Sequence, residues 1–244
     1  MRKILGAVIV VVLLVLGLVT SCTGVKVIGS GNLITKTFEF SDFTGIKAEN
    51  GMHVELTKSG TFSVEVIADD NVMEHIQVSK SGDTLRIGPK ANAAFRSATL
   101  TANITMPNLY ELELSGGSHA SVSGFESSHD LSVRLSSGSH LSEPLIPGGI
   151  SAGNAEFNLS AGSHVDLSGS ANDLSVKCSD GSHIDLETFS VNNAQINLSD
   201  GSHAAVNVGG TLDAKLREGS RVYYVGEPIM GEIDVDWDSE IIKK

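Results

Sequence analysis

Five histidines recur in one tripeptide. Gly-Ser-His ends at His119, His140, His164, His183 and His203, and Gly219-Ser220-Arg221 and Asp238-Ser239-Glu240 continue the series in degenerate form. Neutral imidazole is a common ligand for zinc, copper and nickel. Histidines stacked in one column about 5 Å apart could offer two nitrogens from adjacent strands to one ion. Asp180 and Asp200, three residues before His183 and His203, could add oxygen ligands. The plainer reading makes each His a corner residue copied with its repeat. No Cys/His spacing matches a closed structural metal site. No cofactor is therefore expected, with a divalent transition metal on the five histidines as the alternative. A stacked column has a second consequence. Protonation would place like charges one strand apart, which is unfavourable, so the surface is expected to respond to pH between about 7 and 5.

The same residues do not make a catalytic site. Ser and His are neighbours in sequence in every repeat, whereas a triad needs side chains converging from distinct segments. Hydrolysis of polysaccharides on a repetitive β-fold needs paired carboxylates. Here Asp166, Asp185 and Glu187 lie spread near the corners. The expectation is a non-enzyme.

The elements that must hold the histidines follow from the spacing. The intervals between successive members of the series are 21, 24, 19, 20, 18 and 19 residues. A period near 20 is the signature of a repeat architecture. Five residues before the His position stand Leu114, Leu135, Leu159, Cys178, Leu198, Leu216 and Val235. Seven before stand Leu112, Val133, Phe157, Val176, Ile196, Ala214 and Ile233, and one after stand Ala120, Leu141, Val165, Ile184, Ala204, Val222 and Ile241. The column between the first two is wholly polar: Glu113, Arg134, Asn158, Lys177, Asn197, Lys215 and Asp234. Period-2 alternation means strands with one buried face. One repeat cannot bury its own apolar face, so several must stack. The expected fold is all-β: a parallel β-helix or β-solenoid of about seven coils of about 20 residues, preceded by a β-rich capping region. The interval of 24 carries an insertion, residues 143–149, read as a loop bulging from one coil.

Ser118, Ser139, Ser163, Ser182, Ser202 and Ser220 precede the repeat position, each after Gly, and Ser239 does so after Asp. Gly tolerates the backbone of a tight corner and Ser hydrogen-bonds turn backbone, so these serines are structural corner residues. Gly, Pro and this abundance of Ser would otherwise suggest low complexity. The 41% of hydrophobic residues argues against disorder.

Residues 38–106 alternate in the same way without the motif, as in Met52-His-Val-Glu-Leu56 and Leu100-Thr-Ala-Asn-Ile-Thr-Met106. They are expected to cap the repeats, because an open end exposes strand edges and core. Asn71-Val-Met-Glu-His-Ile76 is read as one helical turn, and Trp237 is expected to help close the other end.

The first residues read as an address. Arg2 and Lys3 precede an uninterrupted run of apolar residues and Gly, residues 4–19, and then Val19-Thr20-Ser21-Cys22. A short apolar run behind positive charge reads as a secretory signal. The four residues ending at Cys22 resemble the bacterial lipobox, in which the Cys is acylated. The alternative is an uncleaved anchor, for which the run is slightly short. The organisation is then 1–21 signal peptide of lipoprotein type, 22–37 tether, 38–106 N-terminal β-rich part and 107–244 repeats. Expected localisation is an exported, membrane-anchored lipoprotein at the cell surface or in the periplasm. Beyond the signal the chain carries 15 basic and 29 acidic residues, a formal charge of −14. Such a surface has no footprint for nucleic acid. Two cysteines cannot form a disulfide framework, and Cys178, alternating with polar neighbours, reads as a small buried hydrophobe.

These residues resemble the auto-transporter adhesin head GIN domain family of bacterial secreted proteins and lipoproteins. Gly45-Ile46-Lys47 stands at the family's Gly-Ile-Asn position and differs at its third residue. Asn50-Gly-Met-His-Val-Glu-Leu56 resembles the following strand, and Met106-Pro-Asn-Leu109 the step into the repeats. The Gly-Ser-His corners match the family's Ser-Gly-Ser-Gly corners, with His replacing the usual last Gly. Tyr224-Val-Gly-Glu-Pro228 matches an element near the family's end. The resemblance implies a β-helix-like fold and an adhesive surface role, and it brings no catalytic residues. The expected function is a lipid-anchored, adhesin-like binding module whose ligand is a glycan or a protein. A metal- or pH-responsive envelope protein and a purely structural spacer are the alternatives.

Overall fold

The computed structural model describes residues 25–144 and 148–244. Cys22 and the signal lie outside the described residues, as do residues 145–147 of the insertion. The described chain is all-β, with strands in one large mixed sheet of 22 and a separate pair. Its one helical turn, Asp70–Met73, buries Val72 and Met73 within the stretch where a turn of helix is expected. Among the described residues no helix is long and apolar enough to cross a membrane.

Two long parallel ladders carry the repeats. In the first, Glu111–Ser115 pairs with Gly45–Glu49 on one side and Leu131–Leu135 on the other. The ladder continues through Ala155–Leu159, residues 174–178, residues 194–198, Thr211–Leu216 and Ile229–Val235. In the second, His119–Ser123 pairs with His53–Lys58 and His140–Ser142. It continues through His164–Asp166, residues 183–186, His203–Val208, Arg221–Val225 and Glu240–Lys243. From Glu111 onward each strand pairs with the one about a repeat away, whereas Gly45–Glu49 and His53–Lys58 join the same ladders from 66 residues before their partners. In both cases a crossover connection is what allows the parallel pairing.

The register matches the columns read from the sequence. Leu112 faces Val133, Val133 faces Phe157, Phe157 faces Val176, and Val176 faces Ile196. All five are buried, and Phe157 meets Phe189 edge-on with ring centroids 6.3 Å apart. Burying such a side chain contributes roughly 1.5–3 kcal/mol, and a slip by one residue would turn the whole column to water. Register is thus held by the core itself.

The N-terminal part breaks the parallel pattern. Ser63–Asp69 runs antiparallel to both Leu33–Thr37 and Leu100–Met106, and Ile76–Ser81 runs antiparallel to Thr84–Pro89. Residues 25–37, read in the sequence as part of a tether, are here paired strands. Val25–Ile28 lies along Ala93–Arg96, and Leu33–Thr37 lies along Ser63–Asp69. The buried Asp69 carboxylate accepts hydrogen bonds from the backbone of Gly31 (2.6 Å) and Thr99 (2.8 Å) and so pins this segment. These bonds also hold its pKa below the usual carboxylate range.

At the opposite end Trp237 does not close the core. It is 94% exposed, and Ile229, Met230 and Ile233 of the last first-ladder strand are also exposed. Trp237 occupies the corner position that is exposed in the other repeats as well, at Ser137, Ala161, Asp180, Asp200 and Glu218, so its indole lies in solvent while the next strand, Glu240–Lys243, keeps its register.

Candidate functional site: the histidine ladder and the groove beside it

The corners before each His share one backbone. Two consecutive residues take left-handed angles: Ser137 and Gly138 (φ 57° and 70°), Asp180 and Gly181 (56° and 69°), Asp200 and Gly201 (56° and 67°), Glu218 and Gly219 (59° and 72°). An L side chain costs about 1–2 kcal/mol in that region, which accounts for Gly at the second position of every one. The following Ser is buried in all seven repeats. The chain then turns into a strand whose first residue, the His, faces outward while the next residue faces the core.

The serines divide into two groups. Ser118, Ser139, Ser163 and Ser220 each donate a hydroxyl hydrogen bond of 2.7–2.8 Å to the carbonyl three residues back. In the two Ser-Asp-Gly-Ser corners the backbone N–H of Ser182 and of Ser202 makes that contact instead, at 3.3 and 3.2 Å. There Ser179 and Ser199 donate to the Asp carboxylates. Ser182 Oγ accepts from the Ser163 N–H of the neighbouring corner (3.3 Å), whereas Ser202 Oγ is buried with no partner.

The five repeat histidines are brought into one column. Centroid separations are 5.6 Å for His119–His140, 4.7 Å for His140–His164, 5.0 Å for His164–His183 and 6.0 Å for His183–His203. His53 joins as a sixth member, paired in register with His119 and 6.5 Å from it. Sequence reasoning missed His53 because Met52 replaces the Ser before it. The Asn50-Gly51 turn, both residues at positive φ, was the available signal. The column ends at Thr101 beyond His53 and at Arg221 beyond His203. Arg221 is ion-paired with Glu240 at 3.3 Å. His75 and His129 lie elsewhere, the latter stacked on Tyr110 at 4.7 Å.

Burial first, and the neighbouring rings second, hold His140, His164 and His203 below the ordinary imidazole pKa. Asp166 opposes this at His140 and His164, as does Asp185 at His164. These three rings are therefore neutral near pH 7. Asp180 and Asp200 occupy the corner itself and bond Ser179 and Ser199 rather than a ring. Among the described residues no three His, Cys, Asp or Glu side chains already converge on a point that could hold a metal ion. Cys178 is buried in the first ladder, and burial pushes its thiol pKa up to about 12.

Beside this column the outward face of the first ladder forms a long shallow groove of about 710 Å³. Arg134, Asn158, Lys177, Asn197 and Lys215 line it in register, with a parallel row of Ser136, Ser160, Ser179 and Ser199. Arg134 is bonded to Glu111 at 2.7 Å, and Lys177 stands 4.0 Å from Glu156. The groove thus offers donors and acceptors at every rung with its cations only partly neutralised.

Comparison with solved structures finds the same fold in bacterial proteins. A "putative adhesin" from Bacteroides fragilis superimposes with a TM-score of 0.80 at 18% identity, covering 89% of this chain and 100% of that one. A "putative lipid binding protein" from Parabacteroides distasonis gives 0.76 at 18% identity, covering 90% and 100%. A "putative adhesin" from Parabacteroides merdae gives 0.74 at 16% identity, covering 90% and 99%. The comparison with curated proteins gives no match. The family model described as "Putative auto-transporter adhesin, head GIN domain" matches residues 42–228, from beside the first paired strand of the repeats to the Tyr-x-Gly-x-Pro element. The chain belongs to the auto-transporter adhesin head GIN domain family.

Proposed function

We propose that this chain is a non-enzymatic, exported envelope module, anchored through Cys22 at the end of its signal, that binds an extended ligand along the outward faces of its repeats. In this reading residues 107–244 are the coils of a parallel β-solenoid, about seven of about 20 residues, and residues 38–106 cap it. Family membership supports the surface role. The observation that carries the reading is the repetition of one polar row, Arg134, Asn158, Lys177, Asn197 and Lys215, at one-strand intervals along the groove. A chain molecule laid across such rungs meets the same hydrogen-bonding chemistry at each step, so weak contacts add along its length. Glycan chains and extended peptide strands have that regularity.

The test is a glycan-array and matrix-protein screen with the full chain purified in detergent. A ligand is expected whose affinity falls at least about tenfold in the R134S/K177S/K215S variant, since each charge-assisted hydrogen bond contributes about 1.5 kcal/mol or more. A variant that binds as well as the parent would remove the groove from the reading. Absence of any ligand would leave the structural spacer.

A further inference from the structure

We propose that His164, Asp166, His183 and Asp185 form a binding site for one divalent transition cation. The two strands pair so that His164 lies opposite His183 and Asp166 opposite Asp185. Val165 and Ile184 between them are fully buried. Alternation therefore turns all four ligating side chains to the same outward face. Their bases form a rectangle about 5 Å by about 7 Å, one strand spacing by two residues.

This quartet is distinct within the column. At the other rungs the residue two after the His is Glu55, Ser121, Ser142 or Ala205, so no other adjacent pair of described rungs supplies two imidazoles and two carboxylates. His164 and His183 are also the most nearly parallel pair, with rings 5.0 Å apart and 4° from coplanar orientation. Metal binding takes imidazole in its neutral, deprotonated form and carboxylate as the anion, so two of each balance the charge of one dication. Two nitrogens and two oxygens suit zinc, nickel or copper and disfavour calcium and magnesium, which take oxygen alone. Asp185 is already oriented, because its Oδ1 accepts the Glu187 N–H at 3.0 Å. Lys244 is ion-paired with Glu187, beyond Asp185.

The unliganded side chains do not converge. Stacked rings hold their lone pairs parallel, whereas metal–nitrogen distances of about 2.0–2.1 Å need them to point at one centre. Binding must therefore splay the His164–His183 pair and order the exposed Asp166 along with three half-buried side chains, which limits the affinity. The inference concerns the second ladder and does not rest on the groove of the first.

Isothermal titration of the full chain with zinc chloride or nickel chloride, with calcium chloride as the control, tests the site. One equivalent of zinc or nickel is expected to bind, and calcium is not. The H164N/H183N and D166N/D185N variants should each lose at least about tenfold in affinity. The H119N/H140N variant, altered in the same column outside the quartet, should bind as the parent does. No zinc or nickel binding by the parent, or equal loss in H119N/H140N, overturns the proposal. Imidazole NMR resonances of the unmodified chain give a readout free of folding defects. Selective shifts of His164 and His183 on adding zinc are expected, and uniform shifts of all the histidines overturn the assignment.

Discussion

Ser139 and Ser202 occupy equivalent corners, yet their alanine variants should behave oppositely. Both side chains are essentially inaccessible, at 1% and 0% exposure. Each substitution removes one hydroxyl and leaves a hole of the same size, so transfer and cavity contributions nearly cancel between them. What differs is the hydrogen bond. Ser139 Oγ donates to the Ser136 carbonyl at 2.8 Å, while Ser202 Oγ is buried without a partner. Losing the first bond should cost about 1–2 kcal/mol, a net hydrogen bond plus part of the desolvation of the orphaned carbonyl. Losing the second removes a buried polar group that was never satisfied, and stability should stay level or rise by about 1 kcal/mol. The difference of about 2 kcal/mol corresponds to roughly 4–8 °C in Tm for a domain of this size. Thermal melts followed by circular dichroism, with urea midpoints at constant m-value as the second measure, would resolve it. Ser163→Ala should track Ser139→Ala, because Ser163 Oγ makes the same bond to Ser160. Equal destabilisation at Ser139 and Ser202, or a larger loss at Ser202, would refute the division of the corners into two hydrogen-bonding groups.

Glycine substitutions separate backbone strain from steric collision. Gly181 has φ +69°, and a Cβ there would meet nothing within 4 Å, so Gly181→Ala should cost about 1–2 kcal/mol from conformation alone. Gly169→Ala should cost about 3 kcal/mol or more, because its Cβ would lie 1.9 Å from the Ile150 carbonyl oxygen and force two paired strands apart. Similar urea midpoints for the two variants would contradict this. Acid should also weaken the fold before the carboxylates titrate. His140, His164 and His203 are held below the usual imidazole value in the folded chain. Below about pH 6.5 the unfolded chain therefore binds more protons, and stability falls as pH drops through the imidazole range. It is unaffected by these groups above that range. The fall should be shallower in H140N/H164N, and identical unfolding midpoints at about pH 7 and 5 would count against the stacked column as its source.

Much of the architecture was legible in the residues themselves. Alternation with a 20-residue period specifies strands with one apolar face, because side chains leave a strand on opposite sides in turn. The apolar columns read from the repeats are the ones that meet in register, since any other register would expose them. Gly-Ser before each His likewise announced a corner, because only Gly takes the left-handed angle without cost. Other features depended on the partner strand. His53 has no Gly-Ser before it, and only the pairing of His53–Lys58 with His119–Ser123 places it in the column. Residues 25–37 carry short, weakly patterned segments, and their pairing is decided by Asp69 from far along the chain. Trp237 reads as a plug by composition, but it falls at the corner position that is exposed in every repeat, and so it lies in solvent. Except at the uncovered last strand, where Ile233 is exposed, the sequence determined by itself which residues must face inward, since burial of apolar side chains has no other outlet in a period-2 chain. Only the tertiary structure decided which outward residues become neighbours. That choice rests on the parallel register, which turned five isolated histidines, a sixth unsuspected one and two aspartates into a single continuous surface.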